Sequence, residues 1–516
     1  MKCLGGIKMW ISFLLALIPI IWLIYSLAIR KMPAIKACSI GLLITIVLAI
    51  LGFNLSIVDT LTGALEGILM GLWPIVYVIV AALFTYNVSN YSGGIKIIQD
   101  TLSSITTDQR ILVLIIAWGF GGFLEAIAGF GTAVAIPAGI LIGFGLNPIN
   151  AAIICLIANT TPTAFGAIGL PVITLSDVTN LPVTPLSFVI TLQLALLIII
   201  IPFLLVILTG GGVKAIKGVG LITLMSGLSF SIPQILVAKF VGPELPAIVG
   251  SICCILTTVL MAKLYHHQDN DIKENIEKHS AIEILRASSP FILVFVFVVL
   301  ASSLFPDIQH LLGKVTSYIK VYTGKDAELF KINWLSSPGT LILLATFIGG
   351  LIQKVSFKKL GQILKSTIFG LWKTLITICS IVALAKVMGY AGMTSAIAAA
   401  LVVLMGPIYP LVAPLIGALG TFITGSDTSA NVLFGNLQLS SAKALGVNSN
   451  WVVGSNMVGA TAGKMISPQS IAVASAAIGQ DGSESIILKQ VAKWCLLYLG
   501  IICIFLYGIG FAVGFL

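Results

Sequence analysis

Residues 125–137 read Glu-Ala-Ile-Ala-Gly-Phe-Gly-Thr-Ala-Val-Ala-Ile-Pro, and residues 424–431 read Thr-Gly-Ser-Asp-Thr-Ser-Ala-Asn. Each stretch interrupts a long apolar run with glycine, hydroxyl and acidic residues. The apolar segments on either side are about 12–16 residues long, which is short for two full crossings of a bilayer. They predict two re-entrant hairpins, over residues 110–145 and 407–440, that enter and leave on one side of a membrane.

Composition places the whole chain in a membrane. Of its 516 residues 58% are hydrophobic and 9% charged, and the mean hydropathy is +1.11. Soluble domains carry about 25% charged residues. An open sheet cannot satisfy its backbone in lipid, so we expect an all-α integral membrane protein with about 11–13 transmembrane helices.

The net charge of +10 comes from lysines and arginines that lie mostly in short loops. This pattern is a topology signal and does not indicate nucleic-acid binding. With the basic loops in the cytoplasm, the N-terminus lies outside. The first apolar run is longer than the roughly 7–15 residues of a signal peptide and is followed by Arg30 and Lys31, so we interpret it as a retained first helix.

A second polar interruption follows each hairpin. Residues 158–171 carry Asn159, Thr160, Thr161 and two prolines, and residues 455–469 carry Ser-Asn-Met-Val-Gly and a later Ser-Pro-Gln. Proline and glycine weaken a helix, and such backbone is tolerated in a membrane only within protein or around a cavity. We predict discontinuous helices over residues 149–176 and 448–476, each with an unwound middle. The alternative is that the small residues pack one helix against another.

These features recur in order and indicate an internal repeat. The segment Gly71-Leu72-Trp73 returns as Gly370-Leu371-Trp372. Later pairs are Tyr91 and Tyr390, Gly93 and Gly392, Gly121 and Gly420, Phe123 and Phe422, Ala133 and Ala430, Asn159 and Asn456, Gly166 and Gly463, and Pro171 and Pro468. Loop charges suggest an odd number of crossings between the copies, so we expect inverted repeats, which are typical of secondary transporters.

The predicted organisation has five parts. They are N-terminal helices (1–58), repeat 1 (59–178), connecting helices with polar loops at 263–286 and 305–337 (179–358), repeat 2 (359–480) and a C-terminal helix (481–516).

Ionisable residues inside apolar stretches are functional candidates. Glu125 and Asp427 stand beside the two tips and are candidates for a coupled proton. Lys464 either holds a substrate carboxylate or neutralises Asp427. Lys386 is expected to face the interior and Lys373 to extend toward the membrane surface, whereas Asp59 and Glu66 are expected at the interface.

The second half-helices should begin near Thr132 and near Thr428 or Ser429, and a helix N-terminus favours a carboxylate. The residues therefore point to carriage of a small organic anion. The candidate substrate-binding residues are Gly131, Thr132, Asn159, Thr160, Thr161, Ser426, Thr428, Ser429, Ser455, Asn456 and Lys464.

Neither a metal nor a cofactor is expected. The four histidines, His266, His267, His279 and His310, lie in polar connecting stretches without metal-ligand spacing. The eight cysteines are scattered and are interpreted as small apolar residues.

The strings Gly-Phe-Leu-Glu-Ala-Ile-Ala-Gly-Phe-Gly-Thr from Gly122, Gly-Ser-Asp-Thr-Ser-Ala-Asn from Gly425, and Ser-Asn-Met-Val-Gly-Ala from Ser455 resemble the lactate permease family. The resemblance covers nearly the whole chain. It implies uptake of L-lactate, and often D-lactate and glycolate, through the bacterial plasma membrane by proton symport. More distantly, the pattern resembles an ion-transporter superfamily with paired hairpins, which implies an elevator-like motion of the hairpin domain against a scaffold.

Three other functions are weighed against this one. A sodium-coupled carrier of another small carboxylate would use the same segments. A membrane-embedded enzyme would need a nucleophile–base pair or a metal cluster in the spans, and the intramembrane segments contain no histidine. A channel has less need of inverted repeats. The expected partners are a small monocarboxylate, protons and the lipid bilayer, and a homodimer is compatible with the sequence.

Overall fold

The computed structural model describes residues 2–516 except 31, 128, 130, 266–278, 302–304, 325–326, 328 and 481–482. Within these residues, ten helices are long and apolar enough to cross a membrane, or eleven when one bent pair counts as a span. The chain is therefore a helical integral membrane protein, as predicted. His266 and His267 lie outside the described residues.

The chain begins with helices that precede the first hairpin. They are α1 (Lys2–Ile24), α2 (Ala34–Leu51), α3 (Ile57–Met70), α4 (Tyr77–Tyr91) and α5 (Gly94–Ser103).

The first hairpin and the first broken helix follow. The hairpin consists of α6 (Gln109–Val113), a π-helical segment (Leu114–Phe120), α7 (Gly121–Ile127) and α8 (Thr132–Gly143). Its two ends meet, because Gln109 Nε2 donates to Phe144 O at 3.0 Å. The broken helix consists of α9 (Pro148–Ala158), a 3-10 turn (Pro162–Phe165) and α10 (Gly166–Thr179).

The middle of the chain connects the repeats. It contains α11 (Val183–Thr209), α12 (Gly220–Phe240), α13 (Pro246–Tyr265), α14 (Ala281–Leu300), α15 (Pro306–Gly313), β1 (Thr316–Ile319), β2 (Phe330–Asn333) and α16 (Pro338–Ile352). The antiparallel pair β1–β2 is a small hairpin within the predicted polar loop 305–337.

The last third repeats the order of the first. It contains α17 (Phe357–Gly370), α18 (Trp372–Tyr390), α19 (Met393–Met405), the hairpin α20 (Tyr409–Thr424) and α21 (Asp427–Leu445), the broken helix α22 (Ser449–Ile466) and α23 (Pro468–Ala477), and α24 (Glu484–Ala512).

The residues at which helices begin are of the same type at equivalent positions in the two halves of the chain. Equivalent helices begin at N-cap serines (Ser56 for α3, Ser356 for α17), at left-handed glycines (Gly93 for α5, Gly392 for α19) and at N-cap asparagines (Asn147 for α9, Asn448 for α22). A serine or asparagine cap satisfies backbone donors that the first helical turn leaves free. The same capping chemistry therefore sets the same boundaries in both halves of the chain.

Helices of the first half of the chain pack against helices of the second half, in matching pairs. Helices α2 and α3 pack against α18, and α16 and α17 pack against α4. In the same way α1 packs against α19, and α14 packs against α5. Helices that precede residues 59 and 359 therefore take part in these paired contacts as well.

Each hairpin likewise packs against the broken helix of the other half of the chain. Helix α8 of the first hairpin packs against α23, and α21 of the second hairpin packs against α10. The two hairpin tips and the two helix breaks are thereby brought to one place.

Candidate functional site

The first tip lies between α7 and α8. Gly129 and Gly131 take left-handed φ values of +59° and +87°, which only glycine adopts readily. Glu125 stands in the last turn of α7 and is 4% exposed. The α8 backbone begins at Thr132, as predicted, whereas the Thr132 side chain lies outside the described part of the structure. The tip therefore places a nearly buried carboxyl beside the start of a short helix.

The second tip lies between α20 and α21. Gly425 has a φ of +74°, and Ser426 is the N-cap whose Oγ accepts a hydrogen bond from Ser429 N at 3.4 Å. Asp427 is the first residue of α21 and is 4% exposed. The helix therefore starts one or two residues before the predicted Thr428 or Ser429, because Ser426 supplies the cap.

The first broken helix is interrupted between Ala158 and Pro162. Its halves bend by 55° across the break after α9, and Ala167, Ile168 and Gly169 have positive φ values. A Cβ on Gly169 would lie 2.1 Å from Pro243 O, so the loop before α13 approaches this backbone very closely.

The predicted unwound middle of the second broken helix is wrong. Helix α22 runs without interruption through Ser455–Gly463, and the break comes later, at Ser467. A Cβ on Gly459 would lie 1.8 Å from Pro414 O, and one on Gly463 would lie 2.1 Å from Ala418 O. The small residues here allow α22 to pack on the α20 backbone, which is the alternative interpretation of this stretch.

The tips and breaks border a cavity of about 420 Å³. One side, the hairpin wall, is formed by Glu125, Gly129, Gly131, Thr163, Gly166, Ala167, Leu170, Pro171, Thr424, Gly425, Ser426, Asp427, Thr428, Ser429, Lys464, Pro468, Gln469, Ser470 and Val473. The other side, the scaffold wall, is formed by Met32, Pro33, Ala34, Ile35, Ile79, Lys373, Thr374, Thr377 and Ile378.

Charge on the hairpin wall is concentrated in three side chains. Lys464 Nζ donates to Gly425 O at 2.9 Å and acts electrostatically on both Glu125 and Asp427. Thr163 Oγ1 donates to Asp427 Oδ2. Asp427 Oδ1 and Glu125 Oε2 are buried without a hydrogen-bond partner. Such oxygens are costly unless they bind a proton or a ligand.

Three more predicted residues are buried and lie outside the cavity lining. Asn159 is a hydrogen-bond partner of the Glu125 side chain, and its Oδ1 is buried and unpaired. Thr160 donates to Ile157 O at 2.7 Å, whereas Thr161 Oγ1 is buried without a partner. Thus Asn159 contacts the Glu125 carboxyl at the first tip, and Thr160 bonds to its own helix.

Ser455 and Asn456, predicted to contact substrate, lie outside the cavity lining. Ser455 donates to Trp451 O at 2.8 Å within α22. Asn456 Nδ2 donates to Asn431 Oδ1 at 3.0 Å, and Asn456 Oδ1 accepts from Gln438 Nε2 at 3.1 Å. Because Asn431 Nδ2 donates to Pro171 O at 3.0 Å, this buried network joins the second hairpin to the first broken helix.

The sequence did not single out several lining residues. Gln469 and Ser470 directly follow Pro468, which pairs with Pro171 in the repeat. Their position next to this paired proline could have marked them as candidate lining residues. Lys373, expected from the sequence to extend toward the membrane surface, lines the cavity. Thr377 carries no local signal, because only the tertiary fold brings α18 to the cavity.

The prediction that Glu66 lies at the interface is also wrong. Glu66 is 5% exposed and pairs with Lys386 Nζ at 3.0 Å, and Tyr390 OH donates to the same oxygen at 2.6 Å. Lys386 does face the interior, as expected. The pair joins α3 to α18 within the scaffold, so it stabilises that scaffold away from the cavity.

Among the described residues, no group of three or more His, Cys, Asp or Glu side chains could hold a metal ion. His279 lies beside one carboxylate, since its Nε2 is 3.4 Å from Asp100 Oδ2.

Comparison with known proteins agrees with this architecture. The sequence profile of the L-lactate permease family matches residues 12–511. The chain is 58% identical to the L-lactate permease of Streptococcus iniae, over 85% of this chain and 92% of that protein. It is 35% identical to the glycolate permease GlcA of Escherichia coli, over 97% and 95%, and 35% identical to the L-lactate permease of Bacillus subtilis, over 97% and 96%.

Among solved structures, the YdaH transporter of Alcanivorax borkumensis is similar with a TM-score of 0.50 at 14% identity, covering 87% of each chain. This likeness shows the fold alone. The relatives are bacterial permeases, so the protein is a multi-pass plasma-membrane transporter and not an enzyme. The match over nearly the full length places the chain in the L-lactate permease family.

Proposed function

We propose that this protein takes up lactate, both enantiomers, and glycolate by proton symport. The names of its relatives, L-lactate permease and glycolate permease, support the substrate class. The observation that carries the coupling is the cavity between the tips, where the carboxyls of Glu125 and Asp427 share the hairpin wall with Lys464.

Substrate recognition uses groups at both tips. The carboxylate of a 2-hydroxy acid binds Lys464 and the N-terminal ends of α8 and α21, where backbone N–H groups and the helix dipole favour an anion. Its hydroxyl bonds to Ser426, Thr428 or Ser429, which line the same cavity.

Proton binding is coupled to anion binding through the net charge of the hairpin wall. With all three side chains ionised, the hairpin wall carries one net negative charge before the substrate anion arrives. Two like charges about 4 Å apart repel by roughly 4 kcal/mol at an effective dielectric constant of 20. Protonation of Glu125 or Asp427 removes that repulsion, so the anion and the proton bind together.

The transport motion is proposed to be a shift of the hairpin wall against the scaffold wall. The repeated element order and the exchange of packing partners support two repeats that cross the membrane in opposite directions. Cysteines placed on α21 and α18 should then cross-link in one transport state only.

The test is lactate uptake into proteoliposomes under separately imposed proton and Na⁺ gradients. A pH gradient, acid outside, should drive accumulation, and a Na⁺ gradient at equal pH should not. Accumulation driven by Na⁺ alone would establish the sodium-coupled alternative.

Two substitutions test the coupling residues. Glu125→Gln or Asp427→Asn should abolish accumulation driven by the pH gradient, and Asp307→Asn, an exposed carboxyl on α15, serves as the control. If both variants still accumulate lactate, the proton is carried elsewhere.

A further inference from the structure

The scaffold wall presents the first turns of two parallel helices to the cavity. Ser39 Oγ lies 3.2 Å from Ser380 Oγ, and a Cβ on Gly41 would lie 3.1 Å from a Leu384 methyl group. These contacts put α2 and α18 in register and in the same direction. Their first turns, with Ala34 and Lys373, therefore lie at the same depth beside the cavity.

This wall carries positive charge opposite the hairpin wall. Lys373 is exposed, with its Nζ 5.5 Å from the centroid of the Trp372 ring. The first turn of α2 follows Pro33, which supplies no side-chain cap, so its free N–H groups add partial positive charge. Lys464, partly buried among the tips, is the cation of the opposite wall.

Loop charges place this mouth of the cavity at the cytoplasm. Helix α2 follows Arg30, and α18 follows α17, which carries Lys358, Lys359 and Lys365 and no acidic residue. Short basic segments at the ends of spans lie inside the cell. The equivalent helix in the first repeat, α3, carries acidic residues and no basic ones.

We propose that Lys373 is a docking residue for the substrate carboxylate at the cytoplasmic face. The anion passes from Lys464 on the hairpin wall to Lys373 on the scaffold wall as it leaves, and in the reverse order when it enters from inside. This inference rests on the proposed lactate transport. Because Lys373 belongs to the scaffold wall, its effect is confined to one side of the membrane.

The experiment compares lactate transport in right-side-out and inside-out membrane vesicles. Lys373→Gln should raise the KM for lactate at the cytoplasmic face about fivefold, which is the size of effect expected when one exposed charge–charge contact is lost. The KM at the external face should stay within about twofold of the wild-type value. Lys373→Arg should behave like wild type. The matched control is Lys365→Gln, an exposed lysine on α17 that does not line the cavity.

Ionic strength gives a second readout. Added salt should raise the cytoplasmic KM of wild type but not of Lys373→Gln, since screening weakens an exposed charge. Equal effects at both faces, loss of uptake from both faces, or no effect at either face would overturn the inference. Absence of lactate transport by wild type in the same vesicles would instead refute the proposed function.

Discussion

Substitution of Gly459 by alanine tests the closest helix contact in the hairpin unit. The new Cβ would lie 1.8 Å from Pro414 O, and Cβ atoms essentially never approach other atoms closer than 3.0 Å. The obstacle is a backbone carbonyl of α20, which cannot rotate away as a side chain can. Helices α20 and α22 must therefore separate by more than 1 Å at this point.

The expected destabilisation is about 2–3 kcal/mol. Overpacking of a tight interface costs typically 1–3 kcal/mol, and a fixed carbonyl places this site near the upper end. The better helix propensity of alanine offsets up to about 1 kcal/mol. The same separation lengthens the 2.9 Å hydrogen bond from Lys464 on α22 to Gly425 O at the end of α20, so transport should fall as well.

The assay is thermal unfolding of the purified protein together with lactate uptake. Gly389→Ala is the matched control, because Gly389 is also helical and a Cβ added there would meet no neighbouring group within 4 Å. Gly389→Ala should leave Tm and uptake unchanged or raise Tm slightly, whereas Gly459→Ala should lower both. Equal Tm values for the two variants would refute this packing of α20 on α22.

Burial raises the pKa of Glu244, in the loop between α12 and α13, from 4.5 to about 7. The folded state therefore loses stability as the pH rises from about 4.5 to about 7, and the loss is complete above that value. Glu244→Gln should be more stable than wild type at pH 8 by about 1–2 kcal/mol for this partly exposed group, which would appear as a higher Tm. The difference should shrink as the pH falls below 7 and vanish below about pH 4, and a difference that does not change with pH would contradict this. Lys386→Gln should destabilise by about 2–4 kcal/mol because Glu66 is left buried without its cation, and adding Glu66→Gln should restore most of the loss in Tm. Asn456→Ala should reduce the free energy of unfolding by about 2 kcal/mol through lost buried hydrogen bonds, and so lower Tm, without changing the KM for lactate; a raised KM at normal Tm would instead mean direct substrate contact.

The first repeat could be predicted from the sequence because its signals are local. Gly129 and Gly131 require left-handed backbone, and the prolines at 162 and 171 interrupt helical hydrogen bonding. Each of these effects acts within a turn or two of the residue itself. The first hairpin therefore turns at these glycines, and the first broken helix is interrupted just before Pro162.

The second repeat shows where local signals end. Glycine, serine and threonine in α22 suit either an unwound cavity lining or a closely packed helix. The choice depends on whether another backbone lies within 2–3 Å, and for Gly459 that backbone belongs to α20. Glu66 is a similar case, since its partner Lys386 is 320 residues away in the sequence.

Charge on the hairpin wall accounts for why the proposed cycle moves a proton with each lactate anion. The empty wall, with Glu125, Asp427 and Lys464 ionised, carries one negative charge, and the wall loaded with one anion and one proton carries the same charge. Both forms therefore meet a similar electrostatic barrier in the low-dielectric part of the membrane, whereas the wall loaded with lactate alone carries two negative charges and meets a higher one. Lys373 does not change this balance, because it stays on the scaffold wall. In the proposed cycle its positive charge acts on the anion only while both walls line one cavity, which is the state from which the anion is released to the cytoplasm.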